Sequence, residues 1–115
     1  DDKGSVKVEV ELDNLSSYED AEGSVEYEEN ADERAFEVEI KGLPVDDYTL
    51  WVADEKEATL TVNEEGEKVK MKFSDPQKEG QEELTFEAPW NDYIEIRDGS
   101  SAIVLETLFP EEPDS

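Results

Sequence analysis

Apolar residues recur at every second position over much of this chain, and this spacing constrains its fold more than any other feature. From Val6 to Leu12 every even-numbered residue is apolar and every odd-numbered residue is charged. Further apolar segments of strand length follow at 25–27, 36–40, 48–52, 58–62, 69–73, 84–86, 94–96 and 102–105. Residues spaced in this way lie on one face of an extended strand, and no stretch keeps a helical period. The chain is therefore predicted to be built from strands.

Turn-forming residues separate these segments, at Asn14, Gly23, Asn30, Gly42-Leu43-Pro44, 63–66, Asp75-Pro76, Gly80 and Pro89. The dipeptide Asp98-Gly99 is favoured in tight hairpins and predicts one between the last two strands. About nine short strands, each with one apolar and one charged face, predict an all-β fold. The expected architecture is an antiparallel β-sandwich, Ig-like or prealbumin-like, with a closed barrel as the alternative.

The length of 115 residues suits one domain. Residues 1–5 resemble the end of an acidic tag joined to a Gly-Ser cloning remnant, and the β-domain is expected over 6–109. Residues 110–115 combine prolines with acids and are expected to form an acidic tail or linker. No apolar run approaches the length of a bilayer span, so no membrane insertion is expected.

The charge is strongly negative, because 35 acidic residues stand against 10 basic ones and give a formal net charge of −25. Such a polyanion is repelled by nucleic acid phosphates and by anionic membranes, so no binding to nucleic acid is expected. The same charge opposes folding by self-repulsion. We therefore expect the stability of the fold to rise with salt or with divalent cations.

The chain contains no cysteine and no histidine. This excludes disulfides, thiol chemistry, typical zinc and haem sites, and acid–base catalysis by histidine. Its many carboxylates alternate on strand faces that should be solvated, whereas a catalytic pair needs one acid held in an apolar pocket. The sequence therefore predicts a protein that is not an enzyme and that requires no cofactor.

Calcium is the ion that this composition best fits, because Ca²⁺ takes several carboxylate and carbonyl oxygens from one loop. The best candidate loop closes on Gly23 and offers Asp13, Asn14, Glu19, Asp20 and Glu22. A second acidic loop lies at 64–67. Neither loop matches the ligand spacing of an EF-hand, and ordinary solvated turns are the favoured interpretation of both.

Aromatic residues suggest a surface for recognition. Alternation places Tyr48, Leu50 and Val52 inward, which leaves Trp51 and Thr49 on the outer face, and Trp90 and Tyr93 follow a proline near another strand. Exposed rings beside carboxylates can bind sugars by stacking and hydrogen bonding. The favoured interpretation is that Trp51 covers a sheet edge or meets a neighbouring subunit and that Trp90 closes one end of the core.

Lys68, Lys70 and Lys72 form a basic stripe on one face of one strand. The favoured interpretation is cross-strand pairing with glutamates such as Glu37 and Glu39, at roughly 0.2–1 kcal/mol for each pair. The alternative is a docking stripe for an acidic partner, including another copy of this chain.

Several segments carry a resemblance to known domains, at 23–27, 34–40, 42–44 and 47–52. They resemble acidic, exported bacterial β-domains of uncharacterised function and, more loosely, chordin-type domains. The turn Gly42-Leu43-Pro44 followed by Tyr48-Thr49-Leu50 is also similar to B-type repeats of surface proteins and to carboxypeptidase regulatory-like domains. This resemblance implies a non-catalytic module of an extracellular or cell-envelope protein.

Taken together, these features favour a non-enzymatic interaction or structural domain of an exported, cell-surface or filament-type protein. Its partner would be another protein or a second copy of the chain. The first alternative is a carbohydrate-binding module that uses Trp51 and a structural calcium ion. The second alternative is an acidic mimic of nucleic acid, which binds DNA-binding proteins rather than nucleic acid itself.

Overall fold

The computed structural model describes residues 6–113 and consists of strands and connecting turns. The strands are β1 (Val6–Asn14), β2 (Glu22–Glu29), β3 (Arg34–Lys41), β4 (Asp46–Val52), β5 (Glu55–Val62), β6 (Val69–Asp75), β7 (Glu82–Glu83), β8 (Tyr93–Arg97) and β9 (Ile103–Leu108). The all-β prediction and the predicted number of strands are confirmed. Within the described residues no helix is long and apolar enough to cross a bilayer. The predicted tag remnant at 1–5 and the end of the predicted tail at 114–115 lie outside the described residues.

The nine strands form one hydrogen-bonded series in the order β5-β4-β8-β9-β1-β2-β3-β6-β7. All pairs are antiparallel except β6 with β7. Strand β1 belongs to both halves, because Val6–Leu12 pair with β2 whereas Asp13 and Asn14 pair with β9. We call β2, β3, β6 and β7 with most of β1 sheet A, and β5, β4, β8 and β9 with the end of β1 sheet B.

The series curls so that its two halves enclose one core, and β5 approaches β6 on the open side. No ladder joins β5 to β7 within residues 6–113. The architecture is therefore the predicted sandwich-like arrangement, in the form of a half-barrel, and the closed barrel is not formed.

Every second side chain of the core strands points into the core, as the alternation of the sequence predicts. In β3 the side chains of Phe36, Val38 and Ile40 are completely buried, and β4 buries Tyr48, Leu50 and Val52 in the same way. Burial of side chains of this size stabilises the fold by roughly 1.5–3 kcal/mol each. The inner and outer faces of each strand are therefore fixed by the cost of exposing this apolar set.

One strand lies two residues from its predicted position. The sequence predicts a strand at Leu84 and Phe86, but the ladder of β7 runs through Glu82 and Glu83. The Leu84 amide adds one further bond to the Ser74 carbonyl. Leu84 is buried, and the Phe86 ring packs on Phe36 at 5.2 Å between ring centres. These two apolar residues therefore serve core packing rather than strand pairing.

The hairpin between β8 and β9 is also longer than predicted. The Asp98 amide bonds to the Ala102 carbonyl, and Ser101, rather than Gly99, has the positive φ of 72°. This is the pattern of a turn followed by one left-handed residue, not of a two-residue hairpin. Gly99 has a different reason to be glycine, since a Cβ there would lie 2.6 Å from Asp46 Oδ1.

Candidate functional site

The acidic loop between β1 and β2 is organised by hydrogen bonds within itself. Asn14 Oδ1 accepts bonds from the Ser16 amide at 2.9 Å and the Ser16 hydroxyl at 2.6 Å, and Asn14 Nδ2 donates to the Tyr18 carbonyl at 2.7 Å. The other four candidate calcium ligands are exposed: Asp13, Glu19, Asp20 and Glu22. Among residues 6–113, no three acidic side chains converge closely enough to hold a metal ion. The loop has the hydrogen bonding of an ordinary turn, and calcium binding stays a prediction.

The second acidic loop is held in a similar way. Glu67 Oε1 accepts bonds from the amides of Asn63 at 2.7 Å and Glu64 at 3.2 Å. The Gly66 amide donates to the Leu43 carbonyl at 3.0 Å, and its φ of 79° favours glycine. The Glu67 carboxylate therefore serves to close the turn between β5 and β6.

The lysine stripe lies beside glutamates, as predicted. Lys72 is registered opposite Glu37 and Lys70 opposite Glu39, and Lys68 Nζ lies 4.0 Å from Glu39 Oε2. The predicted position of the stripe beside Glu37 and Glu39 is confirmed, and within residues 6–113 Lys68 is the member of the stripe that forms an ion pair. Such exposed pairs contribute little to stability, about 0–1 kcal/mol.

Like charges also face one another across the outer surface of sheet A. Glu9 is registered opposite Glu26, Glu26 opposite Glu37, and Lys72 ends this row. Carboxylates directly opposite each other on neighbouring strands repel and lower stability. The ion pair from Lys7 to Glu26, at 3.8 Å, offsets part of this repulsion.

The outer face of sheet B has different chemistry, centred on Trp51. The indole lies on this face as predicted, since Leu50 and Val52 on either side of it are buried. Its Nε1 donates to Thr49 Oγ1 at 2.9 Å, and the central guanidinium carbon of Arg97 lies 4.0 Å from the ring centroid. The nitrogen and one ring face, the two groups that a stacked sugar would use, are therefore already engaged.

Glu95 holds Arg97 in place over the ring. It is registered opposite Trp51 and its side chain is nearly buried. Its Oε1 accepts a hydrogen bond from Arg97 Nε at 2.8 Å and lies 2.6 Å from Arg97 Nη2 in an ion pair. A guanidinium fixed by a carboxylate loses little entropy when it is placed over an aromatic ring. Neither Arg97 nor Glu95 is among the site residues predicted from the sequence, although their alternation with Ile94 and Ile96 places both on an outer face.

Tyr93 and Leu108 extend this surface. They are registered partners, and their side chains are 52% and 48% exposed. Tyr93 is two residues before Glu95, which faces Trp51, so all of these side chains lie on the same side of sheet B. We call the set of Thr49, Trp51, Tyr93, Arg97 and Leu108 the Trp51 face.

Trp90 does not belong to the Trp51 face. Its ring packs edge-on against Tyr27 at 5.2 Å and lies 5.5 Å from the Phe109 ring, where it covers the buried cluster. This packing agrees with the favoured prediction for Trp90, and its position at one end of the core stays a prediction. Trp90 and Tyr93 are close in sequence, yet one packs on the core and the other faces solvent.

Two phenols have perturbed acidity, and both have structural roles. Burial, with help from nearby carboxylates, raises the pKa of Tyr27 to about 12 and that of Tyr48 to about 12. The Tyr27 hydroxyl donates to Glu29 Oε1 and the Tyr48 hydroxyl to the Pro44 carbonyl, each at 2.7 Å. Both side chains therefore stay neutral and act as hydrogen-bond donors that anchor the sheets.

Comparison with known proteins does not add a function to this geometry. No protein-family model, curated protein or solved structure matches this chain. The surface chemistry of the described residues is therefore the basis for assigning a function.

Proposed function

We propose that this protein is a non-enzymatic interaction module that contacts a protein partner through the Trp51 face. The observation that carries the proposal is the contrast between the two outer faces. Sheet B presents Trp51, Tyr93, Leu108 and Arg97 together, whereas the outer face of sheet A consists mainly of glutamate and lysine. Tryptophan, tyrosine and arginine are the residues that dominate binding energy at protein interfaces.

Preorganisation supports the same proposal. The indole is oriented by Thr49 and Arg97, and Arg97 is oriented by Glu95, so the central groups of this face are ordered before a partner arrives. Binding then costs less side-chain entropy than at a surface of free side chains. The exposed Tyr93 and Leu108 supply apolar area at the border of this ordered centre.

The cellular setting is part of the proposal. The acidic composition and the resemblance to exported β-domains favour a module of an exported, cell-surface or filament-type protein. The charge of −25 keeps such a module soluble and steers it toward basic partners.

A library of random peptides displayed on phage tests the Trp51 face without a known partner. Peptides selected on the wild-type protein should lose at least tenfold in affinity for Trp51→Ala and for the double variant Tyr93→Ser/Leu108→Ser. They should keep their affinity for Glu9→Gln/Glu37→Gln, which alters the opposite face. Peptides that bind all of these variants equally would count against the proposal.

The carbohydrate alternative is tested with the same variants. Retention on immobilised polysaccharides that disappears in Trp51→Ala would favour a sugar-binding module instead. In that case Arg97 must move away from the ring or bind the sugar itself, and Arg97→Ala would change the retention.

The row of Glu9, Glu26 and Glu37 favours a second candidate function, the acidic mimic of nucleic acid. Three carboxylates in line present a negative surface to a basic DNA-binding protein. Competition with duplex DNA for such a protein tests this candidate. Glu26→Lys should abolish the competition, whereas Trp51→Ala should leave it unchanged.

A further inference from the structure

A groove of about 330 Å³ opens at one end of the core, between the turn joining β4 to β5 and the chain that precedes β8. It is separate from the Trp51 face, although the Ala53 amide, at its edge, bonds to the Tyr93 carbonyl. The residues around it are Val52, Ala53, Glu55, Glu57, Thr85, Phe86, Glu87 and Asp92.

A β-bulge brings two glutamates to this groove. Leu50 is registered opposite Ala58 and Trp51 opposite Lys56, so Glu57 is an extra residue in β5. The bulge reverses the alternation of β5, which keeps Lys56 beside Trp51 on the outer face and leaves Glu55 opposite the buried Val52. Glu55 and Glu57 therefore border the groove, and the one lysine of this segment does not.

Three of the residues that line the groove are apolar: Val52, Ala53 and Phe86. Val52 is buried there, and the half-buried Phe86 ring is held by edge-on contacts to Phe36 at 5.2 Å and to Phe73 at 5.6 Å. A ring fixed in this way presents a rigid surface to anything that enters the groove. Its contacts are suited to an aliphatic chain and, at the ring face, to a cation.

The rim carries four carboxylates and no cation: Glu55, Glu57, Glu87 and Asp92. None of the four takes part in the ion pairs found among residues 6–113. Burial, and to a smaller extent the charge of Glu55, raises the pKa of the Glu57 carboxyl. A positive charge placed in the groove would stabilise the ionised form of Glu57 and relieve its repulsion with Glu55.

We infer that the groove binds the side chain of a lysine or arginine presented by a partner polypeptide. The aliphatic stem would lie on Val52 and Phe86, and the cationic head would reach the carboxylates of Glu57 and Glu87. Long basic side chains combine an apolar stem with a charged head, which matches a groove lined by both apolar residues and carboxylates. The inference goes beyond the Trp51 face, because it names a second contact and its chemistry.

The probe for this site is the capped tripeptide Ac-Ala-Lys-Ala-NH2, titrated into the 115-residue protein and followed by NMR at 0.15 M sodium chloride. We expect the largest shift changes at the amides of Ala53, Phe86 and Asp92. The double variant Glu57→Gln/Glu87→Gln should bind the peptide with at least fivefold lower affinity. The same peptide with norleucine in place of lysine should give no saturable shifts at these amides.

A matched control separates this site from general attraction to a polyanion. Glu9→Gln/Glu37→Gln removes the same amount of charge from the outer face of sheet A. This variant should lower the affinity for the peptide less than twofold. Trp51→Ala should bind the peptide with unchanged affinity. The test of the groove therefore remains valid even if the Trp51 face proves not to bind a partner. Equal weakening in both double variants, or shifts spread over both sheets, would overturn the inference. Thermal melts of each variant verify that the fold is retained.

Discussion

The guanidinium of Arg97 lies over the indole of Trp51, with its central carbon 4.0 Å from the ring centroid. The two residues are 46 positions apart in sequence, and the pairing of β4 with β8 brings them together. This contact makes Trp51 an outer-face residue that is partly covered by its own protein. Its energetic contribution should therefore differ from that of a core aromatic.

Replacement of Trp51 by alanine should cost about 1 kcal/mol of unfolding free energy. The change removes a cation–π contact and a side-chain hydrogen bond at a half-buried position on an outer face, and it leaves the packing of the core in place. Urea denaturation measures this loss. Trp90→Ala is the comparison and should cost about 3 kcal/mol, because that ring covers the core. Equal losses for the two variants would show that the Trp51 ring is part of the core.

Replacement of Glu26 by threonine should stabilise the protein at low salt by about 0.5 kcal/mol. Glu26 stands between Glu9 and Glu37, so its removal relieves two like-charge contacts at the loss of a weak pair with Lys7. The gain should shrink in 1 M sodium chloride, where screening is strong.

Thermal unfolding at low and high salt measures this effect. Lys72→Thr is the control, since it removes the cation at the end of the same row and should destabilise the protein at low salt. The melting temperature of the wild type should itself rise with salt. A gain for Glu26→Thr that is independent of salt would indicate that the charge row is not its cause.

The two residues of the turn between β4 and β5 are not those that favour its backbone conformation, so replacing them should stabilise the protein. Ala53 and Asp54 have φ values of 51° and 67°, and they join Val52 to its registered partner Glu55. A two-residue hairpin turn with both φ values positive favours Asn-Gly, because other residues are strained there. The double change Ala53→Asn/Asp54→Gly should therefore add about 1 kcal/mol of stability.

The urea midpoint of this double variant should increase while the denaturant slope stays the same. The single change Ala53→Gly gives a useful comparison, since it relieves strain but adds flexibility to the unfolded chain. A lower midpoint for the Asn-Gly variant would mean that the native turn has another conformation.

The extent to which the sequence predicted this structure differs from strand to strand. Regular alternation was sufficient to assign the inner and outer faces of β3 and β6, so that Glu39 and Lys70 were both placed on an outer face. It was insufficient where the chain departs from a period of two, as at the bulge of Glu57. It also could not show that Arg97 meets Trp51, since this depends on which distant strands become neighbours.

Glu57→Gln should stabilise the protein at neutral pH, and the gain should vanish in acid. The pKa of Glu57 is raised in the fold, first by burial and then by Glu55, so the folded state binds its proton more tightly than the unfolded state does. The stability of the wild type therefore falls as pH rises from the unfolded pKa of about 4.3 through the folded value. Glutamine stays neutral and avoids this loss.

Urea midpoints of the wild type and Glu57→Gln, measured from pH 3.5 to pH 7.5, test this prediction. The two curves should meet near the lowest pH and separate as the pH rises, with the variant more stable at the upper end. Glu9→Gln is the control for a general loss of charge. A variant that is less stable than the wild type at neutral pH would show that the Glu57 carboxylate has a favourable partner, and that the rim of the groove is not short of positive charge.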